Sequence, residues 1–310
     1  MILTVTPNPC VDKTVYIESL VPGTFMRSNK CTCIAGGKGT NVSRATKQMG
    51  RPTRAMVVVG GHTGHHVVDM ITIADQMDCF PAWVASQTRT ITTVLEQQGH
   101  RQTAFFEPGS RVTHNEYEDI LSLFPQALIG AKVVTFSGTV SDPSIRGLYK
   151  ALIPIAKSQG VLTILDSHGA EFAQGIEAVP YMVKPNLAEL QELAGSELNS
   201  QSAIESAVEA LHAKGIQLIV LSLGKEGAFV SRGSERFQVV PPRIEEVNAV
   251  GSGDSLVAGF AIGLMEGMSL QEMAKLGCAM GTANAMSWEI GHFTREEVDA
   301  LLPKVRIVFP

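Results

Sequence analysis

The sequence predicts an α/β fold: a three-layer, mainly parallel sheet flanked by helices, carrying a small β-sheet lid. Three observations predict it. Seven short runs rich in β-branched residues recur along the chain, the segments between them carry apolar residues at helical spacing, and two further strand-like stretches fall outside that alternation. A strand covered by helices on both faces reads as a short, continuous apolar run, and these runs do.

In chain order, residues 2–6 form the first strand, and residues 13–34 then break the pattern with a stretch rich in Thr and Val. Residues 41–49 carry helical spacing and 55–59 form a strand. Residues 86–106 make the second excursion, with Gly99 in Gln97-Gln98-Gly99-His100 read as a hairpin turn. The alternation resumes with a strand at 133–137, a helix at 145–159 and strands at 162–166 and 181–184. Helices at 187–193 and 203–214 follow, with strands at 218–222 and 227–231. The core is therefore residues 1–12, 35–85 and 107–310, and the lid is 13–34 and 86–106. If the two excursions meet, their sheet is too thin for an independent domain but suits a cover over a site. Ligands are expected at the carboxyl ends of the parallel strands.

At 310 residues, 45% hydrophobic and 18% charged, the chain can bury a large core. Its net charge of -5 argues against nucleic acid or an anionic membrane as the main partner. No apolar run approaches the ~20 residues that span a bilayer, and the opening residues lack a signal-peptide pattern, so a cytoplasmic location is expected. Five scattered cysteines (Cys10, Cys31, Cys33, Cys79, Cys278) fit reduced thiols better than a disulfide frame. Cys31-x-Cys33 has neither redox nor zinc spacing, and His62, His65 and His66 fit a glycine-rich turn and the first turn of a helix.

The most informative segment is Asn248-Ala249-Val250-Gly251-Ser252-Gly253-Asp254-Ser255, which runs into the apolar stretch 256–265. A helix start presents unpaired N–H groups and partial positive charge, and glycine admits an anion close to the backbone. Asp254 adds a carboxylate able to accept the proton of an attacking hydroxyl, the pairing that phosphoryl transfer needs. Other glycine-rich motifs fail on spacing: Leu256 stands where a dinucleotide fingerprint needs its third glycine, and Gly36-Gly37-Lys38-Gly39-Thr40 does not fit a Walker A loop.

Four ordered motifs resemble the ribokinase-like (PfkB) carbohydrate kinases. They are Gly36-Gly37-Lys38-Gly39-Thr40-Asn41, Lys184-Pro185-Asn186-Leu187-Ala188-Glu189, Ser222-Leu223-Gly224-Lys225-Glu226-Gly227 and Val250-Gly251-Ser252-Gly253-Asp254-Ser255. The opening Thr4-Val5-Thr6-Pro7-Asn8-Pro9-Cys10-Val11-Asp12 and the lysine in the first glycine motif are similar to the subgroup of 1-phosphofructokinase, tagatose-6-phosphate kinase and the minor 6-phosphofructokinase. Two departures stand out. Ser252 replaces the usual alanine, and Ser137-Gly138-Thr139-Val140-Ser141-Asp142-Pro143 matches its motif only in the first half.

The resemblance implies Mg·ATP as donor and a sugar phosphate as acceptor, with fructose 1-phosphate the leading substrate. Tagatose 6-phosphate, fructose 6-phosphate, a ribose or nucleoside, or a non-catalytic regulator are the alternatives. Asp254 is implied as the general base, its pKa not raised because it starts a helix, and the amides of Gly251, Ser252, Gly253 and Asp254 as the anion hole. Asp12, Gly36, Gly37, Asn41 and Ser137 are implied to meet the acceptor, and Lys38, Arg27 and Arg89 to clamp its phosphate. Ser222, Gly224, Gly227, Gly253, Asn186 and Asn284 are implied at the nucleotide, with Asn186 and Glu189 holding Mg²⁺ through water. An exposed lid edge further leads to the expectation of a homodimer paired through the lid.

Overall fold

The computed structural model describes residues 1–98 and 101–309, so the predicted turn at Gly99 lies outside the described residues. In chain order the strands are β1 (Ile2–Thr6), β2 (Cys10–Ile17), β3 (Lys30–Gly36), β4 (Thr53–Val59), β5 (Asp78–Trp83), β6 (Arg89–Glu96) and β7 (Gln102–Phe106). They continue with β8 (Val133–Ser137), β9 (Leu162–Asp166), β10 (Met182–Val183), β11 (Leu218–Ser222), β12 (Ala228–Arg232), β13 (Glu235–Val240) and β14 (Arg306–Val308). Ten of them make one sheet in the order β14-β13-β12-β11-β10-β9-β8-β1-β4-β5. The other four make a second sheet, β3-β2-β6-β7, so the two excursions do meet.

Side-chain alternation divides the core between the two faces of the large sheet. Leu3, Val5, Val134, Phe136, Leu165, Ile219 and Leu221 pack with Tyr149, Leu152 and Phe172 on one side. Their sequence neighbours Ile2, Val133, Ile164, Leu218 and Val220 pack with Val257, Phe260 and Met280 on the other. Both faces are buried under helices, which is why the strands read as continuous apolar runs.

The sheet is mainly parallel, as expected, and carries an antiparallel edge. Seven strands from β5 to β11 are mutually parallel, but β12, β13 and β14 continue the sheet antiparallel. Only Leu223 to Gly227 separate β11 from β12. A parallel return needs a crossover of a dozen residues or more, so a connection this short can only fold back.

The parallel register decides where chemistry can collect. Ser137 lies opposite Asp166 at the carboxyl ends of β8 and β9, and the Lys184 N–H bonds Leu165 O beside them. The helix Lys38–Gln48, which follows β3, packs against β1 and the helix Ser252–Glu266. In the small sheet, β2 pairs in parallel with β6, placing Cys10 opposite Arg89. Among the described residues, no helix is long and apolar enough to cross a membrane.

Candidate active site

Gly251 caps the helix Ser252–Glu266 in a left-handed conformation (φ 83°), and a Cβ there would lie 2.3 Å from Ile290 Cγ2. Gly253 differs: the nearest atom to a Cβ built there is Lys184 Nζ at 3.6 Å. Its own surroundings would accept a side chain, so the open space beside that ammonium fits a cradle for an anion. The implied set of four amides is reduced by one, because the Ser252 N–H is spent on Ala249 O at 3.1 Å. The N–H groups of Gly251, Gly253 and Asp254 remain.

Asp254 is buried at 6% exposure in the first turn of this helix. Asn41 Nδ2 donates to its Oδ2 at 2.8 Å, joining residues 213 positions apart. Arg44, itself 2% exposed, orients that amide by donating to Asn41 Oδ1 at 3.2 Å. It is in turn held by Asp75 at 2.7 Å and by Ala35 O at 2.9 Å. Contrary to the expectation for a helix start, burial and then the nearby Asp166 push the Asp254 carboxyl up to about 6, against the opposing pull of Lys38, Asn41 and Lys184. The partial charge of a helix end is worth about a kilocalorie or less at most surfaces, too little to offset full burial beside a second carboxylate.

Asp166 and Lys184 were not singled out from sequence. Asp166 is fully buried and accepts from Lys184 at 3.1 Å and Lys38 at 3.2 Å through one oxygen, while its Oδ2 is buried without a partner. Burial would raise its pKa, but Lys184 and then Lys38 hold it below the ordinary carboxylate range. Asp166 in turn holds Lys38 firmly protonated. The signal available in the sequence was a charged residue ending each of two strands predicted to be buried on both faces, at the edge where ligands gather.

On the acceptor side, a Cβ on Gly36 would meet Cys10 Sγ at 2.6 Å and Asp12 Cβ at 2.9 Å, and one on Gly37 would meet Thr6 Cγ2 at 2.6 Å. The protein's own packing thus accounts for both glycines. Asp12 is raised by burial, with Arg44 and Arg89 acting against it. Arg89 donates to Asn8 O at 3.2 Å and keeps a buried Nε without a partner. Ser137 Oγ is likewise buried and unpartnered. Three of the implied acceptor residues stand in contacts or positions that the sequence does not show. Asn41 gives its amide donor to Asp254, and Lys38 gives its ammonium to Asp166. Arg27 is exposed in the connection beyond the far end of the β2–β3 ladder, which runs from Cys10–Gly36 to Tyr16–Lys30. That ladder spans ~20 Å at ~3.4 Å per residue, so within one chain Arg27 is not brought to Gly36.

A cleft of about 760 Å³ opens on the other side of the helix start. Ser222, Gly224, Gly227, Ser252 and Gly253 line it together with Cys278 and Thr282. Asn284, implied near the adenine, makes three hydrogen bonds within the protein. Its Oδ1 accepts from Gly291 N–H at 2.7 Å, and its Nδ2 donates to Val250 O at 2.8 Å and Ser252 Oγ at 3.1 Å. It braces the turn that leads into the helix.

Asn186 and Glu189 form a reciprocal capping box at the start of the helix Leu187–Ala194. The box uses one oxygen of each, Asn186 Oδ1 and Glu189 Oε2, and leaves Glu189 Oε1. A carboxylate oxygen and an amide oxygen at one helix start suit Mg²⁺, which favours a few hard oxygens and keeps several waters.

His62, His65 and His66 lie on the helix Gly61–Asp69, where His65 stacks on Trp83 with ring centroids 4.3 Å apart. All five cysteines are free thiols.

Comparison with known proteins agrees with this geometry. A profile described as pfkB family carbohydrate kinase matches residues 5–289. The chain is 31% identical over 311 residues to a tagatose-6-phosphate kinase of Staphylococcus epidermidis, covering 99% of each. It superposes on the tetrameric inhibited form of phosphofructokinase-2 from Escherichia coli with a TM-score of 0.89, at 26% identity over 98% of both chains. A Thermotoga maritima structure named "Possible 1-phosphofructokinase" gives a TM-score of 0.88 at 25% identity, covering 99% of this chain and 98% of that one.

Proposed function

Since the chain belongs to the pfkB family of carbohydrate kinases, we propose that it moves the terminal phosphoryl group of Mg·ATP to a hydroxyl of a ketohexose monophosphate. Fructose 1-phosphate, giving fructose 1,6-bisphosphate, is the leading substrate. Tagatose 6-phosphate is the second reading, favoured by the relative that matches the chain from end to end. The observation that carries the phosphorylated acceptor is Arg89, a guanidinium with a buried, unpartnered Nε next to Cys10 and within the field of Asp12. A neutral sugar gives such a donor no counter-charge.

The chemistry follows from the residues. Asn186 and Glu189 would hold Mg²⁺ through water, and the ion would supply positive charge against the phosphate oxygens. Asp12 accepts hydrogen bonds from the sugar hydroxyls and so orients the ring. Asp254 is ionised above about pH 6 and takes the acceptor hydroxyl's proton as the bond to phosphorus forms. Asn41, oriented by Arg44, keeps the Asp254 carboxylate in one rotamer and leaves its other oxygen for the substrate. The amides of Gly253 and Asp254, with Lys184 beside Gly253, face the charge that develops on the transferred group.

The test is ADP release across a panel of phosphorylated and free sugars, with Arg89→Met as the diagnostic variant. The variant should raise KM for the sugar phosphate about ten- to a hundredfold, the scale of ~1.5–3 kcal/mol for a hydrogen bond to a charged group. KM for ATP should hardly move, and activity on free fructose should not fall further. A parent enzyme that prefers free sugars would move the assignment to the simple sugar kinases.

The lid supports a homodimer in the same reading. Val21, Phe25, Met26, Phe105 and Phe106 leave large apolar surfaces exposed on or beside this small sheet, and β3 and β7 are its unpaired edges. Pairing two lids would cover that surface and carry each Arg27 away from its own core toward the partner. Light scattering at micromolar concentration should give twice the mass of 33.2 kDa. A monomer under those conditions would remove this part of the proposal.

A further inference from the structure

We propose that the Ser252 side-chain hydroxyl is a catalytic donor to the transferred phosphoryl group, an inference that rests on the kinase reading above. The usual residue at this place in the resembling motif is alanine, so the motif itself leaves the hydroxyl without a role. Its role follows from counting donors and acceptors.

The Ser252 backbone N–H, second of the four amides at the helix start, turns back to Ala249 O at 3.1 Å and is thereby spent within the protein. The hydroxyl of the same residue is fixed as an acceptor. Asn284 Oδ1 takes the Gly291 N–H at 2.7 Å, which leaves the amide nitrogen for Val250 O at 2.8 Å and Ser252 Oγ at 3.1 Å. A hydroxyl that accepts still has one proton to donate. Among the described residues that proton has no acceptor, and Ser252 is half-buried on the wall of the cleft next to Gly253. The side chain therefore supplies, at this step of the helix start, the donor that the backbone has lost.

The contrast with other hydroxyls near the site isolates Ser252. Ser255 Oγ and Ser137 Oγ are buried without partners and do not line the cleft. Ser252 alone of the three has its hydroxyl held by the Asn284 amide and lines the cleft. Such preorganisation is what makes a donor effective against charge that appears only in the transition state.

Ser252→Ala and Ser252→Thr test it, measured on the whole enzyme with its best sugar phosphate. Removing one donor of this kind should lower kcat about ten- to a hundredfold, for a contact of ~1.5–3 kcal/mol, with KM for ATP changed by less than about twofold. Threonine keeps the hydroxyl and should restore most of the rate. Titration with ADP alone, and with ADP plus aluminium fluoride in the presence of the sugar phosphate, gives a second readout. Alanine should weaken the fluoride complex by a similar factor and leave ADP alone unchanged. The inference is overturned if kcat for the alanine variant stays within about threefold of the parent, if ADP alone weakens equally, or if threonine fails to restore rate in a protein of unchanged melting temperature. Absence of turnover in the parent enzyme would instead overturn the kinase reading, so the two failures are distinguishable.

Discussion

Asp254→Asn should lower kcat by about 10²–10⁴, the range of a lost general base, while nucleotide and sugar phosphate still bind. The amide keeps the shape and the contact to Asn41 but cannot take the proton. A variant within about tenfold of the parent, only ~1.4 kcal/mol of barrier, would show that Asp254 is not the base. The same substitution should stabilise the fold. Asp254 is raised in the folded state to about 6, so ionising it opposes folding. The sign is that of a carboxylate with a raised pKa: below about pH 4 there is no cost, the cost grows as pH rises to about 6, and above that it is full. At most it amounts to about 3 kcal/mol, from ~1.4 kcal/mol per unit over roughly two units. Asp254→Asn should then melt a few degrees higher than the parent at pH 8 and no higher at pH 4. In the parent, kcat/KM should fall through an acid limb near pH 6, well above the ~3.9 of a free aspartate. A limb at 4 would mean that the site is wetter than its geometry indicates.

Asp166→Ala should be the most damaging substitution for stability, by ~3–5 kcal/mol, the cost of leaving half of a buried ion pair alone. Asp166 is fully buried, and the Lys184 side chain it holds is 6% exposed. Without the carboxylate, Lys184 keeps its desolvation penalty and loses its partner. Lys38, with a third of its side chain exposed, can turn to solvent and suffers less. Urea denaturation measures the loss, and the double variant with Lys184→Met provides the control. Because each partner's removal strands the other, the pair of changes should cost well under the sum of the two. A single-variant loss below about 1 kcal/mol would mean that the lysines are already served by water, and the buried-triad account would fail.

Much of this site was legible in the sequence because its pieces are local. Gly251, Gly253 and Asp254 lie within four residues, and a helix start explains why those residue types occur together. Asn186 and Glu189 could be placed on one helix start for the same reason, and their capping box shows the spacing at work. The large sheet was legible as well, since helices on both faces demand uninterrupted apolar runs. Its antiparallel edge was missed where a connection too short for a crossover was read by composition alone.

The contacts that the sequence does not disclose are those between residues far apart along the chain. Asn41 and Lys38 are expected at the acceptor, and in the fold one also holds Asp254, 213 positions away, and the other Asp166, 128 away. Asn284 is expected near the base of the nucleotide, and its three hydrogen bonds, which the sequence does not show, brace the turn at 250–252 and Gly291. Arg27 was grouped with Arg89 because both stand in the lid, but the hairpin register carries it to the opposite end.

The sequence by itself determined the layered α/β core, the paired excursions that form the small sheet, the glycine-rich helix start and the carboxylate set in it. These depend on spacing, turn chemistry and apolar periodicity, which neighbouring residues carry between them. Only the tertiary structure decided the charge state of that carboxylate, its Asn41–Arg44 support and the Lys38–Asp166–Lys184 triad. A pKa and a buried ion pair depend on dielectric and distance, and both arise only when strands far apart in the chain end side by side.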